Sequence, residues 1–220
     1  MKIVSVIDAR KESWQRLADE AAAVLQDGGV IVFPTDTVYG IGCDPFRTDA
    51  IDRIYGAKKR PDSKPLSLHV ASVAEFLEYV HGNAVATLAA RRLMPGPVTI
   101  IVRRPAFIDE DVSAGLPTLG FRVPDDALCV TLLERIGPVA ATSANTSGER
   151  PYLGGGDIQA VPEADLLIEG GVTKYGAESS VIDLSGPVPR LLREGVLKLD
   201  YLSERLGPVV RHTVKVRNTQ

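Results

Sequence analysis

The stretch from Gly28 to Val70 constrains the fold more than any other part of this chain. An apolar run, Val30 to Phe33, reads as a buried strand. It empties into a polar, glycine-broken loop, Pro34 to Gly42, which sets Thr35, Asp36, Thr37 and Tyr39 just past the strand end. A short helix follows, with Ile51, Ile54 and Tyr55 on one face. The basic cluster Lys58-Lys59-Arg60 ends that helix, and Pro61 stops it. A second strand, Leu66 to Val70, carries His69. Taken singly, each piece has an ordinary explanation. Threonines after a strand bond their own backbone in turns, and cations at a helix end complement its dipole. Their order within one unit points instead to a site for a small anionic molecule. On this reading Lys58 and Arg60 stand exposed at the helix end.

The rest of the chain reads as alternating strands and helices, which makes the class α/β with a mixed twisted sheet and helices packed around it. Met1 to Ile7 is an edge strand. Trp14, Leu17, Ala18, Ala21, Ala22 and Leu25 recur at helical spacing, with Ser13 as cap and Gly28-Gly29 as stop. Ser72 and Glu75 form a capping box for a helix from Val73 to about Val80, and another runs from Ala84 to Leu93. Further strands are expected at Val98–Val102, Thr118–Val123, Val139–Ala141, Ala164–Ile168 and Ser180–Leu184, with a last one reached through Pro187–Arg193. A helix capped by Asp125 or Asp126 reaches Ile136. Phe107–Leu116 is a loop. Glu149–Gly156 is the most flexible-looking stretch and a candidate lid. The domain is expected to span residues 1–206, followed by a polar, basic tail over 207–220 that frays.

Composition narrows the function. With 220 residues, 45% of them hydrophobic, the chain can bury a substantial core as one domain or two small ones. A net charge of −3 disfavours a protein whose main task is gripping a phosphate backbone. The two cysteines, Cys43 and Cys129, have no zinc spacing and read as reduced core thiols. No secretory signal, P-loop, dinucleotide fingerprint or hydrolase elbow is present, and no apolar run is long enough for a membrane. A cytoplasmic location is expected.

Eight segments carry a resemblance. PTDTVYGIG, KKRP, PLSLHV, LMPGPVTII, GFRVP, ATSANTSG, ESSVIDL and LLREG occur in this order between Gly28 and Gly195. The order resembles the threonylcarbamoyl-AMP synthases, the YrdC-like enzymes of tRNA modification, in their short single-domain form. Longer members carry a second domain beyond this point. The resemblance implies a concave cationic crevice and a reaction that condenses L-threonine, bicarbonate and ATP into threonylcarbamoyl-AMP and pyrophosphate. The product serves tRNA threonylcarbamoyladenosine modification, through a threonylcarbamoyl-transferase complex. It also implies Mg2+ with the ATP; no metal ligand can be read from the sequence.

Residue by residue, the resemblance puts Lys58 and Arg60 on the phosphates and the bicarbonate-derived group. Thr37, His69, Arg122, Ser143 and Ser179 fall where the family holds threonine. Arg60, Lys64, Thr118, Asn145, Leu153 and Arg193 fall near the nucleotide. Arg122 stands in an otherwise apolar strand, where a guanidinium needs an anionic partner. The threonine carboxylate is one choice and an internal Asp or Glu the other. Two positions depart from the family pattern. Asp126 stands where members often have His, and Ser179-Ser180 replaces the usual Ser-Thr. Two other readings remain. One is an RNA-binding module of the same fold, which low aromatic content argues against. The other is a carbamoyl-transfer domain of the hydrogenase-maturation type, which normally sits in a longer chain with zinc fingers.

Overall fold

Strands that lie between two layers of helices must be apolar on both sides, and their neighbouring residues then belong to different cores. Residues 30–33 behave this way. Ile31 and Phe33 join one apolar cluster, whereas Val30 and Val32 join the other, and all four are buried. The computed structural model describes residues 3–59, 61, 63–80, 82–156, 158 and 161–211.

The described elements run in the order β1 (Ile3–Asp8), α1 (Trp14–Gln26), β2 (Ile31–Phe33), β3 (Gly40–Cys43), α2 (Thr48–Lys58), β4 (Ser67–His69), α3 (Val73–Tyr79) and α4 (Ala84–Leu93). They continue through β5 (Val98–Arg103), β6 (Thr118–Arg122), α5 (Ala127–Ile136), β7 (Val139–Ser143), β8 (Ala164–Glu169), β9 (Ser180–Asp183), β10 (Arg190–Arg193), α6 (Leu199–Leu206) and β11 (Val210–Arg211). The strands form one mixed sheet ordered β1-β8-β2-β3-β7-β4-β6-β5-β9-β10-β11. Helices α1 and α5 pack on one face with Ile31, Phe33, Leu166 and Ile168. Side chains of α2, α3 and α4 cover the other with Val32, Ile41, Leu68, Ile100 and Phe121.

The mixed α/β class and the strand–helix alternation are as the sequence implies. β1 lies at the sheet edge. Ser13 caps α1, Ser72 caps α3 and Asp126 caps α5, each accepting from a backbone N–H three residues on. Both cysteines are buried free thiols. Four local expectations are corrected. Gly40–Cys43 is a strand rather than loop. It pairs antiparallel with β2 and β7, and its glycines fit because a Cβ on Gly42 would stand 2.5 Å from a Val139 methyl. Glu75 does not return to the Ser72 amide; its carboxylate accepts from Ala71 N–H at 2.9 Å. Trp14 is half-exposed and outside the apolar stripe of α1. Within the expected tail, Val210 and Arg211 pair with β10, and residues 212–220 lie outside the described residues.

The 149–156 stretch is tied down. Glu169 Oε2 accepts from the Tyr152 hydroxyl at 2.6 Å, and its Oε1 accepts from Gly155 N–H and Gly171 N–H. The Tyr39 hydroxyl accepts from Gly170 N–H and shares its proton between Glu169 Oε1 and the Gly171 carbonyl. Burial pushes the Tyr152 phenol up to about 12, so it remains a donor at neutral pH. Gly154, at φ +89°, has no room for a Cβ, which would meet the Gly171 carbonyl oxygen at 1.9 Å.

Lys59 ends α2 in the left-handed region at φ 49° and ψ 41°. A side chain with a Cβ is strained there by about 1 kcal/mol relative to glycine. Lys59→Gly is therefore expected to stabilise the fold by up to about 1 kcal/mol, a rise of roughly 2–4 °C in a thermal melt.

Candidate functional site

A β-strand shows every second residue to the same side. Ser67 and His69, Thr99 and Ile101, Gly120 and Arg122, Ala141 and Ser143, and Ser179 and Val181 all line one cavity of about 280 Å³. Each pair is two residues apart. The cavity is thus a patch of one sheet face that no helix covers. It lies on the side that carries α1 and α5, because Val139 and Ala141 also belong to their cluster. Thr35, Thr37 and Tyr39 from the loop after β2, together with Lys64, Glu178 and Arg193, complete the lining.

Register explains the hollow. Ser67 pairs with Ala141 on one side and Gly120 on the other, and Gly120 faces Ile101 across β5. The small side chains of Ser67 and Ala141, with Gly120 beside them, leave a floor. A Cβ on Gly120 would stand 2.9 Å from the Thr99 methyl and 3.0 Å from Ser67 Oγ. In the next row His69 pairs with Arg122. Thr99 Oγ1 and Ser179 Oγ lie 3.0 Å apart at the other end of the floor.

Arg122 meets the need for an anion inside the protein. Its Nη2 donates to Asp36 Oδ1 at 2.6 Å, and both side chains are almost wholly buried. The internal pair foreseen as one of two choices is therefore present. It leaves capacity over. Among the described residues, Arg122 Nε, Asp36 Oδ2 and His69 Nδ1 are buried without a hydrogen-bond partner. Such atoms are costly unless something else bonds them. Burial, and then the neighbouring Arg122 charge, lowers the His69 pKa to about 3. The imidazole is neutral at physiological pH.

Lys58 is the largest correction. It is 1% exposed, not solvated at the helix end. Its ammonium donates to the carbonyls of Ser143 and Asn145 and to Asn145 Oδ1. Ser143 Oγ donates to the same Oδ1 at 2.6 Å, and Asn145 Nδ2 donates to the carbonyls of Thr146 and Glu149. Lys58 thus fastens the end of β7 from behind the cavity wall. Arg60 lies outside the described residues.

Of the sequence-derived site residues, the fold brings Thr37, Lys64, His69, Arg122, Ser143, Ser179 and Arg193 to one cavity. Asn145 is buried beside it. Thr118 stands at the opposite end of β6 from Arg122, and Leu153 is held by its carbonyl bond from Thr173 N–H; neither lines the cavity. The lining carries both signs, since Glu178 Oε2 sits 3.0 Å from Arg193 Nη1. Sequence reading passed over Ser67, Thr99 and Glu178 as lining residues. The signal was a polar residue on alternate positions of otherwise apolar strands, visible at Ser67/His69 and at Thr99. Among the described residues, no group of three His, Cys, Asp or Glu side chains is placed to hold a metal ion, and no helix is long and apolar enough to cross a membrane.

Two outcomes test this geometry. Lys58→Ala removes the ammonium from three acceptors in a buried place; Asn145 Oδ1 keeps the Ser143 hydroxyl and the Ser143 carbonyl keeps Asn145 N–H, while the Asn145 carbonyl loses the ammonium. It is expected to cost about 3 kcal/mol of stability, read by denaturant titration. His69 governs a pH dependence. Its folded pKa of about 3 lies below the ordinary 6.5, so between those values the unfolded chain takes up a proton that the fold refuses. Stability held by the neutral imidazole is full above about pH 6.5 and is lost as pH falls toward 3. The slope from this one group is about 1.4 kcal/mol per pH unit. Unfolding free energies of wild type and His69→Gln should therefore converge as pH falls from 6.5 to 4.

Comparison with known proteins identifies the family. The Sua5/YciO/YrdC family, described as "Telomere recombination", matches residues 23–195. The chain is 36% identical over 212 residues to a threonylcarbamoyl-AMP synthase of Bacillus subtilis, covering 94% of this chain and 61% of that relative. A crystal structure of Pyrococcus abyssi Sua5 complexed with L-threonine superposes with a TM-score of 0.84 at 33% identity, covering 96% of this chain and 63% of that one. Escherichia coli YciO superposes with a TM-score of 0.78 at 28% identity, over 92% of this chain and all of that one. The chain thus spans a little over three-fifths of the length of the Bacillus and Pyrococcus relatives. With the family profile matched over residues 23–195, most of its length, and a relative 36% identical over 212 residues, this chain is a member of the Sua5/YciO/YrdC family.

Proposed function

We propose that the chain is an L-threonylcarbamoyladenylate synthase, a nucleotidyltransferase that joins L-threonine, bicarbonate and ATP and releases pyrophosphate. The observation that carries this reading is the His69–Arg122 row. It sets a buried guanidinium with spare N–H capacity beside a neutral imidazole, on a floor of small side chains. A carboxylate entering there gains a charge-assisted bond from Arg122. The hydroxyls of Thr35, Thr37, Ser67 and Ser179 offer partners for the threonine side chain. The relatives support the reading by name, and one related structure holds L-threonine.

The work left to the protein is positioning and charge. Threonine's amine attacks bicarbonate carbon to give a carbamate and water. A carbamate oxygen then attacks the α-phosphorus, and pyrophosphate leaves. Bringing three reactants together supplies most of the acceleration, and cations stabilise charge moving onto pyrophosphate. Lys64 and Arg193 line the cavity and are assigned to the phosphates, and Arg60 joins them on the strength of the family motif. Thr118, Asn145 and Leu153 are assigned to the nucleotide on the same ground. Lys58 acts in this reading by holding Ser143 and Asn145. Mg2+ would enter with ATP, carried by phosphate oxygens and water, as this ion ordinarily is. The adenylate is unstable in water, so a threonylcarbamoyl transferase acting on tRNA is the downstream partner, and the cytoplasm is where both meet.

Mass spectrometry of a reaction with threonine, bicarbonate and ATP is expected to show threonylcarbamoyl-AMP. Valine, which replaces the hydroxyl with a methyl, leaves polar groups unpaired and should fall behind threonine by about 10⁴ in kcat/KM. Serine, which loses only a methyl, should fall behind by roughly 10- to 200-fold. Equal values for threonine and valine would show that the hydroxyl is not read.

A further inference from the structure

Carbamate formation poses a proton problem. Free threonine carries an ammonium at neutral pH, and an ammonium has no lone pair with which to attack bicarbonate. Some group must hold that cation and take its proton. The described cavity lining offers many hydroxyls, the cations Lys64, Arg122 and Arg193, the imidazole of His69, and one carboxylate, Glu178. Hydroxyls are poor proton acceptors at neutral pH. His69 is ill suited as well, since taking a proton would put a second cation in a buried place beside the Arg122 guanidinium. Asp36 is committed to Arg122 and does not line the cavity.

We propose that Glu178 binds the substrate ammonium and accepts its proton. The inference rests on the synthase reading and adds a catalytic residue to it. Glu178 directly precedes Ser179, whose hydroxyl is bonded to Thr99 on the cavity floor. Arg193 fixes this corner. Its Nη1 pairs with Glu178 Oε2 at 3.0 Å, its Nε donates to the Ser179 carbonyl at 3.1 Å, and its Nη2 donates to Ser179 Oγ at 3.2 Å. The Glu178 backbone is fixed too, because its carbonyl accepts from Val196 N–H at 3.1 Å. The carboxylate is thus presented from a rigid strand entrance. Its side chain remains 40% exposed, so it can return a proton to water.

The step balances. Threonine's ammonium gives one proton to the Glu178 carboxylate and becomes a free amine. The amine nitrogen forms a bond to bicarbonate carbon, one carbon–oxygen bond breaks, and water leaves with the nitrogen's second proton. The products are a carbamate and neutral Glu178, which then loses its proton to solvent. Arg193 holds Glu178 before nucleotide binds and is also the cation nearest the carboxylate. Phosphate drawing on Arg193 would leave Glu178 the stronger partner for the ammonium.

The test is Glu178→Gln, which keeps the size and removes both charge and base. Turnover at neutral pH is expected to fall about 10²- to 10⁴-fold. The deficit should shrink as pH rises into the range where free threonine loses its own proton. Calorimetry supplies a readout apart from turnover. Wild type should bind threonine more tightly than 2,3-dihydroxybutanoate, which lacks the ammonium. The variant should lose about 10- to 150-fold in threonine affinity and with it that preference. A melt beside each measurement checks the fold, and Glu178→Asp, which keeps the base, should recover part of the activity. Wild-type kcat/KM in the Gln variant overturns the inference. So does a loss that is flat with pH and accompanied by a changed ATP affinity, which would make Glu178 a mere anchor for Arg193. A shifted Mg2+ requirement would make it a metal ligand and overturn the inference equally. If wild type forms no threonylcarbamoyl-AMP, the synthase reading falls and this inference with it. Product from wild type with an unaffected variant removes the inference alone.

Discussion

The pleat of the central strands is the constraint on which the rest depends. Each residue of β4, β6 and β7 must face one side of the sheet or the other, and neighbours must alternate. On one side Leu68, Phe121 and Ala140 enter a core covered by helices. On the other, Ser67, His69, Gly120, Arg122, Ala141 and Ser143 meet a region without a covering helix. One register therefore makes core and crevice together. Shifting β4 by a single residue would put Leu68 in the crevice and His69 in the core.

Charges in this protein sit where geometry can answer them. A buried ammonium or carboxylate is tolerable only when bonded on most of its valences. Lys58 meets that condition with three acceptors at the end of β7. The half-buried Glu169 is likewise bonded, by two tyrosines and two backbone amides. The Asp36–Arg122 pair meets it only in part, leaving an oxygen and a nitrogen unbonded among the described residues. That difference separates the two kinds of polar cluster. The saturated ones hold loops and strand ends in place. In the unsaturated one Arg122 lines the cavity, where a ligand can bond it.

The family relation and the physical reading rest on different observations. Family membership rests on the matched profile and on relatives at 33–36% identity. The chemistry rests on particular side chains, because one fold serves several activities. The cavity holds both signs of charge, with Lys64, Arg122 and Arg193 against Glu178. Such a lining suits a zwitterion beside a polyphosphate better than it suits a polyanion alone.

The sequence by itself determined the class of fold and most of its elements. Helical spacing over Leu17–Leu25, the caps at Ser13, Ser72 and Asp126, and the motif order from Pro34 to Gly195 are local or linear signals, and each is written in adjacent residues. It also brought forward Thr37, Lys64, His69, Arg122, Ser143, Ser179 and Arg193, which the fold gathers at one cavity. Tertiary structure decided what each of these touches. Lys58 looked like a solvated helix end because nothing nearby in sequence buries it; β7, some 85 residues later, does. Gly40–Cys43 looked like loop because glycine is a poor strand former alone, and only the approach of Val139 and Phe33 makes its missing side chains a fit. Arg122 demanded an anion, and the chain could not say which until folding set Asp36 beside it, because Asp36 sits in the loop after β2, 86 residues away, and only the tertiary fold brings that loop to β6.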